Sequence, residues 1–498
     1  LEHRDKLLSH HLDIEKFIGG VKIRGHRQSE QWANNQWVFF ESEISSPVRE
    51  IRFNKEKTKA LLRFDVDQIM VRTTLSFTGM EGVDKNTKAT RALFADADDN
   101  FGLSNISLEQ EFTKARRWCR TAWNAELSRI EIEPESASEN FEKQQVLPER
   151  YGQLWSSMND SVSATQRVIF YTALYHCMIH PSLASDADGS YRGRDQLIHK
   201  AKHRYYHVFS LWDTYRALHP LLLLINKQRT KEFILTMLLQ YEQGGRLPVW
   251  ELGSCETDCM IGFHSVPVIA DAVLQGIEFD SSQRRRIMNA VIHSSDHKQK
   301  SYTYEKPIPS ELLTLYGLKL GYIDVLKESE SVSKHLEYAY DDYCAYRLAR
   351  YWDMEEERFI FQKRSERWKG LFDLETRSFR PKKNGQWLQR FRLNEVNNHY
   401  TEANAWQYRF AVPHAIPSLI DAFGGKGQFT LALDSLFGSS PRTTGRNQAD
   451  ITGLIGQYAH GNEPSHHMAY LYNAVGQPQK AQRILRKIKQ EFYTDKPD

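Results

Sequence analysis

The chain has 498 residues, which at about 150 residues per domain calls for roughly two to four domains and excludes a single small module. Apolar residues make up 40% and charged residues 26%, too hydrophobic for a disordered chain and sufficient for a large core. The net charge of +3 supplies no field for holding a phosphate backbone, so no nucleic-acid partner is expected.

The opening, LEHRDKLLSHHLDIEKF, has no basic start followed by an apolar stretch and no small-residue cleavage site, so it does not read as a targeting peptide. From about Val21 to Phe77 the chain reads as strands: WANNQWVFFESEIS alternates through Trp37, Phe39 and Glu41, and REIRFN, KALLRFDV and QIMVRTTLSFTG are short and rich in β-branched and aromatic residues. The expectation is an antiparallel sandwich with an incomplete set of strands. At Ser107 the period changes. SLEQEFTKARRWCRTAWNAELSRIEI places Phe112, Ala115, Cys119, Ala122 and Leu127 near one stripe, and Ser107 with Gln110 forms a capping-box signal. The piece 133–149 reads as a solvated connection.

Beyond Val162, helical period and length recur at 165–180, 209–225, 230–243, 256–275, 282–293, 309–319, 333–351, 354–371, 404–423, 428–437, 463–475 and 479–492. Loops rich in Gly, Pro, Asp and Asn join them, the pattern of paired helices in a ring, an α/α toroid with polar loops gathered at one end. The longest apolar run, near Leu221 to Ile225, is far below the ~20 residues of a bilayer crossing, so no membrane span is expected. The domains expected are therefore 1–105 (sandwich), 106–160 (linker helix and connection) and 161–498 (helical ring).

Five cysteines, Cys119, Cys177, Cys255, Cys259 and Cys344, are too few for a disulfide scaffold, and none has an obvious base beside it. Ser185-Asp-Ala-Asp-Gly189 lacks the downstream Glu of an EF-hand loop. The chain is instead rich in aromatic residues, with 11 Trp, 23 Tyr and 25 Phe, many in short polar clusters. Aromatic faces beside carboxylates suit sugar rings; the alternative is a core that needs large side chains.

Four clusters stand out. Phe209-Ser-Leu-Trp-Asp-Thr-Tyr-Arg216 offers Trp212, Asp213 and Arg216, where Asp213 can bind a hydroxyl pair, cap a helix or pair with Arg216. Gly244 to His264 contains Glu251 among three carboxylates and a Trp, many polar groups for one buried stretch. Tyr400-Thr-Glu-Ala-Asn-Ala-Trp-Gln-Tyr408 sets Glu402 beside Asn404 and Trp406; a carboxyl group partly desolvated there has a raised pKa and a proton to donate, although Thr401 to Asn404 also fits plain helix capping. Gly453-Leu-Ile-Gly-Gln-Tyr-Ala-His-Gly-Asn-Glu-Pro-Ser-His-His467 is the densest polar run, with His460, Asn462, Glu463 and His466 available to a cation or to sugar hydroxyls.

GHRQSEQWANNQWVFF, FSLWDTYRALHPLL, YEQGGRLPVWELGSCETDCMIGFHSV, YTEANAWQYRFAVPH and DITGLIGQYAHGNEPSHHMAYLYNAVGQP together resemble the calcium-dependent exo-acting α-mannosidases of glycoside hydrolase family 92. The resemblance implies a β-sandwich followed by an (α/α)6 toroid, a Ca2+ cofactor, mannose-containing oligosaccharides or glycoproteins as partners, and a bacterial periplasmic, secreted or cell-surface location. It implies that Glu402 is the general acid, that Asp213 binds hydroxyls of the terminal mannose, and that Asn462 and Glu463 line the sugar subsites. In that family the base follows a Phe-Tyr-x-Asp-x-Pro-Asp run. Here the run EFYTDKPD ends at Asp498, so base and calcium ligands stay unassigned. Ala403, Ala415 and Ser254-Cys255 depart from the family pattern and bear on linkage preference. The rivals are a peptide N-glycanase-like glycoamidase and a noncatalytic glycan-binding protein.

Overall fold

A computed structural model of the chain describes residues 5–94, 107–132, 164–296 and 321–496. Its N-terminal part is a four-stranded antiparallel sheet in the order β1 (Lys6–Phe17), β2 (Gly20–Glu30), β3 (Gln36–Ile44), β6 (Val71–Ser76), with a ribbon of β4 (Glu50–Phe53) and β5 (Ala60–Arg63) beside it. The strands expected from Val21 onward are present. β1 is an addition: its residues are largely exposed, only Ile14 joining the apolar face, and it is held by a hairpin closed at Gly19, where a positive φ of 89° suits glycine. One face of the sheet, through Val21, Ile44, Ile14 and Ile23, packs with Val48, Ile51, Leu62 and Phe64 at the ribbon. The opposite register positions put Arg24 beside Glu41 and His26 beside Phe39, with Trp37 stacked on Phe39 at 5.5 Å.

Helix α1 (Met80–Phe94) lies against β3 and β6. Helix α2 (Leu108–Leu127) starts at the expected capping box: the Gln110 amide donates to Ser107 Oγ at 3.3 Å and the Ser107 amide to Gln110 Oε1 at 3.1 Å. Its expected apolar stripe is not what it buries. Phe112 is exposed, and the buried side chain is Glu111, held by the Arg72 guanidinium at 2.7 Å, so an ion pair rather than an apolar seam joins this helix to the sheet.

The second part is helical, with α3 (Ala164–Cys177), α4 (Leu211–Thr214), α5 (Leu218–Ile225), α6 (Lys227–Gly244), α7 (Ser265–Leu274), α8 (Ser281–Asp296), α9 (Ser331–Tyr351), α10 (Glu355–Ser365), α11 (Ala405–Tyr408), α12 (Ile416–Ala422), α13 (Lys426–Gly438), α14 (Leu471–Ala474) and α15 (Pro478–Phe492) as its α-helices among the described residues. The expected helix 309–319 lies outside them. Three long expected helices are broken. The first, 209–225, divides at 215–217; Pro413 and Pro417 split 404–423 into short turns; 463–475 is a run of 3₁₀ turns ending in α14. The start of 256–275 is strand and turn rather than helix, since Gly262 and Asp258 adopt positive φ.

Two apolar cores fill this part. Phe233, Met237, Val266, Ile269, Ile287 and Val291 form one, and Phe410, Phe423, Phe429, Leu433 and Met468 anchor the other. Each fully buried side chain of this size contributes about 1.5–3 kcal/mol. Helix α9 spans both: Val332, Leu336 and Ala339 pack into the second core, and Ala345, Leu348 and Ala349 into the first. Between those contacts it buries Glu337 and Asp341, which puts charge at the heart of the molecule.

Candidate active site

Asp213 sits on α4, directly after β7 (Phe209–Ser210), which pairs with β8 (Trp250–Leu252); β8 turns through Gly253 and Ser254 into β9 (Cys255–Glu256). Both carboxylates of this hairpin replace missing backbone partners. Glu251 accepts from the Val208 amide at 3.0 Å and the Ser254 amide at 2.7 Å, and Glu256 from Val249 at 2.9 Å and Trp250 at 2.8 Å. The Asp213 carboxyl group is pushed up to about 6 by burial and by the charge of Glu463, while hydrogen bonds to the Ser210 and Trp250 side chains and the charge of Arg216 restrain the rise.

Glu402 occupies a left-handed backbone conformation, φ 47°, rare for a residue with a Cβ. The preceding Thr401 is pinned by its amide to Ser333 Oγ at 2.9 Å, and the following Asn404 caps α11. Asn462 reaches back across the fold: its Nδ2 lies 3.2 Å from both the Glu402 carbonyl and Oε2. Burial, then the charge of Asp450, raises the Glu402 carboxyl group to about 7; the Asn462 hydrogen bond pulls the other way, and Glu463 and Asp213 add to the rise. Glu463 opens a 3₁₀ turn, and burial raises its pKa too. Asp213, Glu402 and Glu463 therefore share one field, with Asn462 bonded to the acid.

Arg216 supplies the opposite charge. Its Nη2 lies 3.6 Å from Glu337 Oε1, and its guanidinium stands 4.7 Å from the Tyr215 ring and 5.9 Å from that of Trp212. Burial works against the cation, but Tyr215 and Glu337 outweigh it and keep it charged. Its Nε is buried and has no hydrogen-bond partner. Behind it, His264 lies between Asp341 Oδ1 at 2.6 Å and Glu337 Oε2 at 3.1 Å. Burial opposes its charge, yet Asp341 and Glu337 carry it up to about 9, and Glu337, despite burial, is held down to about 2 by His264 and Arg216.

Other expected contact residues stand behind this surface. Trp212 is a buried ring under Arg216. Glu251 is sealed and already bonded to its own hairpin, so it shapes the site rather than touching a solute. Asn404 takes the capping alternative: Oδ1 accepts from the Trp406 amide at 2.9 Å and Nδ2 donates to Gln457 Oε1 at 3.0 Å. Trp406 is half-buried against the second core, 5.0 Å from the Arg409 guanidinium. His460 has one ring nitrogen 2.8 Å from the Tyr458 hydroxyl and the other 2.9 Å from that of Tyr493, and His466 lies 3.0 Å from the His460 carbonyl. These two histidines line a cavity of about 1350 Å³ bounded mainly by rings and aliphatic side chains such as Phe170, Tyr340 and Ile488; neither Glu402 nor Asp213 faces it. Sequence reasoning placed Trp250 and His264 in the polar cluster 244–264 without giving either a role, and it missed Asp450, Glu337 and Asp341, because the partners of His264 come from α9 nearly 80 residues on.

Among the described residues no group of three or more His, Cys, Asp or Glu side chains is arranged to hold a metal ion, so the calcium expectation finds no ligand set in them. No helix there is long and apolar enough to cross a membrane.

A strand-rich part is thus joined to a helical one that carries two carboxyl groups raised toward neutrality, Asp213 and Glu402. The chain belongs to glycosyl hydrolase family 92, whose catalytic domain matches residues 100–498. It superposes on the family GH92 α-mannosidase of Bacteroides thetaiotaomicron in complex with mannoimidazole with a TM-score of 0.80 at 28% identity, over 97% of this chain and 60% of that one. The family GH92 inverting mannosidase of Bacteroides thetaiotaomicron VPI-5482 shares the fold with a TM-score of 0.75 at 24% identity, over 97% of this chain and 63% of that one. An uncharacterized secreted glycosidase of Arthroderma benhamiae is 22% identical over 402 residues, 74% of this chain and 41% of that protein. The chain thus spans less than two thirds of the length of these relatives.

Proposed function

We propose that the chain carries the site of an exo-acting α-mannosidase that hydrolyses terminal α-linked mannose of N-glycans or mannan by single displacement with inversion. Its parts are the sandwich domain 1–105, the connection 106–160 and an (α/α)6 domain 161–498. Family membership and the mannosidase neighbours support the substrate class. The observation that carries the reading is Glu402, half-buried, bonded to Asn462 and raised to about 7, so that it holds a proton at neutral pH.

In this reading Glu402 gives that proton to the departing glycosidic oxygen. Asp213 accepts from hydroxyls of the terminal sugar, Arg216 donates to it, and Asn462 with Glu463 borders the bond to be cut. Inversion requires a base across the sugar, roughly 6.5–9.5 Å from the acid, and none of the described carboxylates is assigned that role. Calcium is supported by the family resemblance alone. A secreted or periplasmic setting is supported by the relative named as secreted. The glycoamidase alternative is disfavoured by the thiols: burial raises Cys255 to about 11 and Cys177 and Cys259 as well, away from the thiolate a nucleophile needs.

The test is mannose release from an α-linked mannobiose by the full-length protein, with NMR of the first anomer formed, repeated after chelation and after calcium is restored. Glu402→Gln is expected to lower kcat about 10²–10⁴-fold while sugar binding persists. Unchanged turnover in that variant would remove Glu402 from the mechanism.

A further inference from the structure

Beside the loop of Glu402 two short stretches run together: Glu395–Val396 pairs in parallel with Thr444–Gly445, Glu395 opposite Thr444 and Val396 opposite Gly445. Both are fastened to the loop of the proposed acid. The Trp406 amide donates to the Leu393 carbonyl at 3.3 Å. Asn404 donates to Gln457 Oε1 at 3.0 Å, and Gln457 Nε2 donates in turn to the Ser440 carbonyl at 2.6 Å and the Arg442 carbonyl at 3.3 Å. Asn394 Nδ2 reaches the same Arg442 carbonyl at 3.2 Å.

The side chains on these stretches are basic. Arg390 and Arg392 precede the first and Arg442 and Arg446 flank the second; all four are exposed. The pairing brings Arg392 beside Arg442, and the Arg446 amide donates to the Val396 carbonyl at 3.0 Å. Among the described residues none of the four guanidinium groups has a hydrogen bond or an ion pair. Arginines that serve the fold do have partners: Arg380, on the same segment, lies 3.1 Å from Asp373, and Arg364 lies 2.8 Å from Asp342. A single exposed arginine is an ordinary solvated side chain. Four on two joined stretches repel one another and make a local positive field that an anion relieves. The planar fork of arginine matches the oxygens of a sulfate, phosphate or carboxylate, two donors to two acceptors. An acid catalyst protonates the departing oxygen, so a surface fastened to its loop meets the glycan beyond the bond to be cut.

We propose that Arg390, Arg392, Arg442 and Arg446 form a docking surface for an oxyanion carried by the glycan beyond the scissile bond, so that acidic mannosides are preferred to neutral ones. The proposal rests on the α-mannosidase reading. The probes are α-linked mannobioses whose reducing-end unit is neutral, carries a sulfate ester at its primary carbon, or carries a carboxylate there, given to the full-length protein at low salt. The charged probes are expected to have kcat/KM about tenfold or more above the neutral one, chiefly through KM, and salt at about 1 M to abolish the difference. Arg442→Gln with Arg446→Gln is expected to remove most of this preference, with a loss on neutral mannobiose at least about fivefold smaller than on the charged probes. Arg390→Gln with Arg392→Gln is the second pair, read in the same way should the first alter the circular dichroism spectrum. Arg483→Gln with Arg486→Gln takes the same charge from two exposed arginines of α15 and is expected to keep the preference. Preference for both charged probes supports a general oxyanion surface, and preference for one supports a surface for that group. No preference in the wild type, or one that survives loss of Arg442 and Arg446 or falls equally with loss of Arg483 and Arg486, overturns the surface. If the wild type turns over none of the probes, the mannosidase reading fails separately, and calorimetric titration with the same sugars and variants decides: tighter binding of a charged probe that depends on Arg442 and Arg446 supports the surface, whereas equal binding of all three, or none, overturns it.

Discussion

At Glu402 two demands meet on one residue. The left-handed backbone, which costs of order 1–3 kcal/mol for a residue with a Cβ, is held by Thr401 against Ser333 and by the cap at Asn404. The same placement half-buries the carboxyl group among other acids and raises it to about 7. An acid catalyst must be protonated, and the protonated fraction falls as pH rises through that value. The rate, as kcat/KM, is therefore expected to decline above about pH 7. The amide of Asn462 favours the charged form, so Asn462→Ala is expected to move this limb to higher pH, read from the same profile. TEANAW made Glu402 a candidate in the sequence. Its contact with Asn462 was illegible there, because the two are separated by 60 residues and meet only through the packing of α11 against the 3₁₀ turn at Glu463. Glu251 and Asn404 show the converse: a sequence reveals a polar side chain but not whether a solute or its own backbone will satisfy it.

At the level of elements, α9 is decisive. Glu337 and Asp341, one turn apart on α9, hold the two ring nitrogens of His264. Removing one member of a buried charge group strands the others, so His264→Ala is expected to cost about 3–5 kcal/mol in urea denaturation. The pH dependence has a definite sign. The folded pKa of His264, about 9, lies above its ordinary 6.5, so its contribution is complete below 6.5 and is lost as pH rises through 9. Comparing wild type and variant at both ends of that window checks it: the variant is expected to lose this slope. Helix α9 was legible as 333–351, because its length and apolar content override local detail. The stretch 404–423 was not, since two prolines and a chain of capping side chains divide an otherwise helical pattern into turns.

Across the whole molecule, the junction between sheet and helices is polar and specific. Asp186 is buried and accepts from Ser76 at 3.0 Å, from Asn86 at 2.7 Å and from Thr78, while Arg192 donates to the Phe77 carbonyl at 2.9 Å and stands over Trp37. The acidic loop that lacks the spacing of a calcium site thus serves as a clasp. Deleting the acceptor leaves buried donors unpaired, each worth about 1–3 kcal/mol, so Asp186→Ala is expected to lower the thermal midpoint measured by circular dichroism and to expose the sheet domain to protease first. The division into strands and then helices was readable from the change of period at Ser107; the clasp was not, because its partners are ordinary surface residue types until the two parts meet.

Asp213 and Glu402 belong to stretches of chain that are remote in sequence, so the groups proposed to act together come into register only after the chain between them has folded back on itself. Helices such as α6 and α9 are held by contacts local in sequence, whereas the cleft is held by contacts between distant stretches, so partial unfolding is expected to abolish activity before it removes helical circular dichroism.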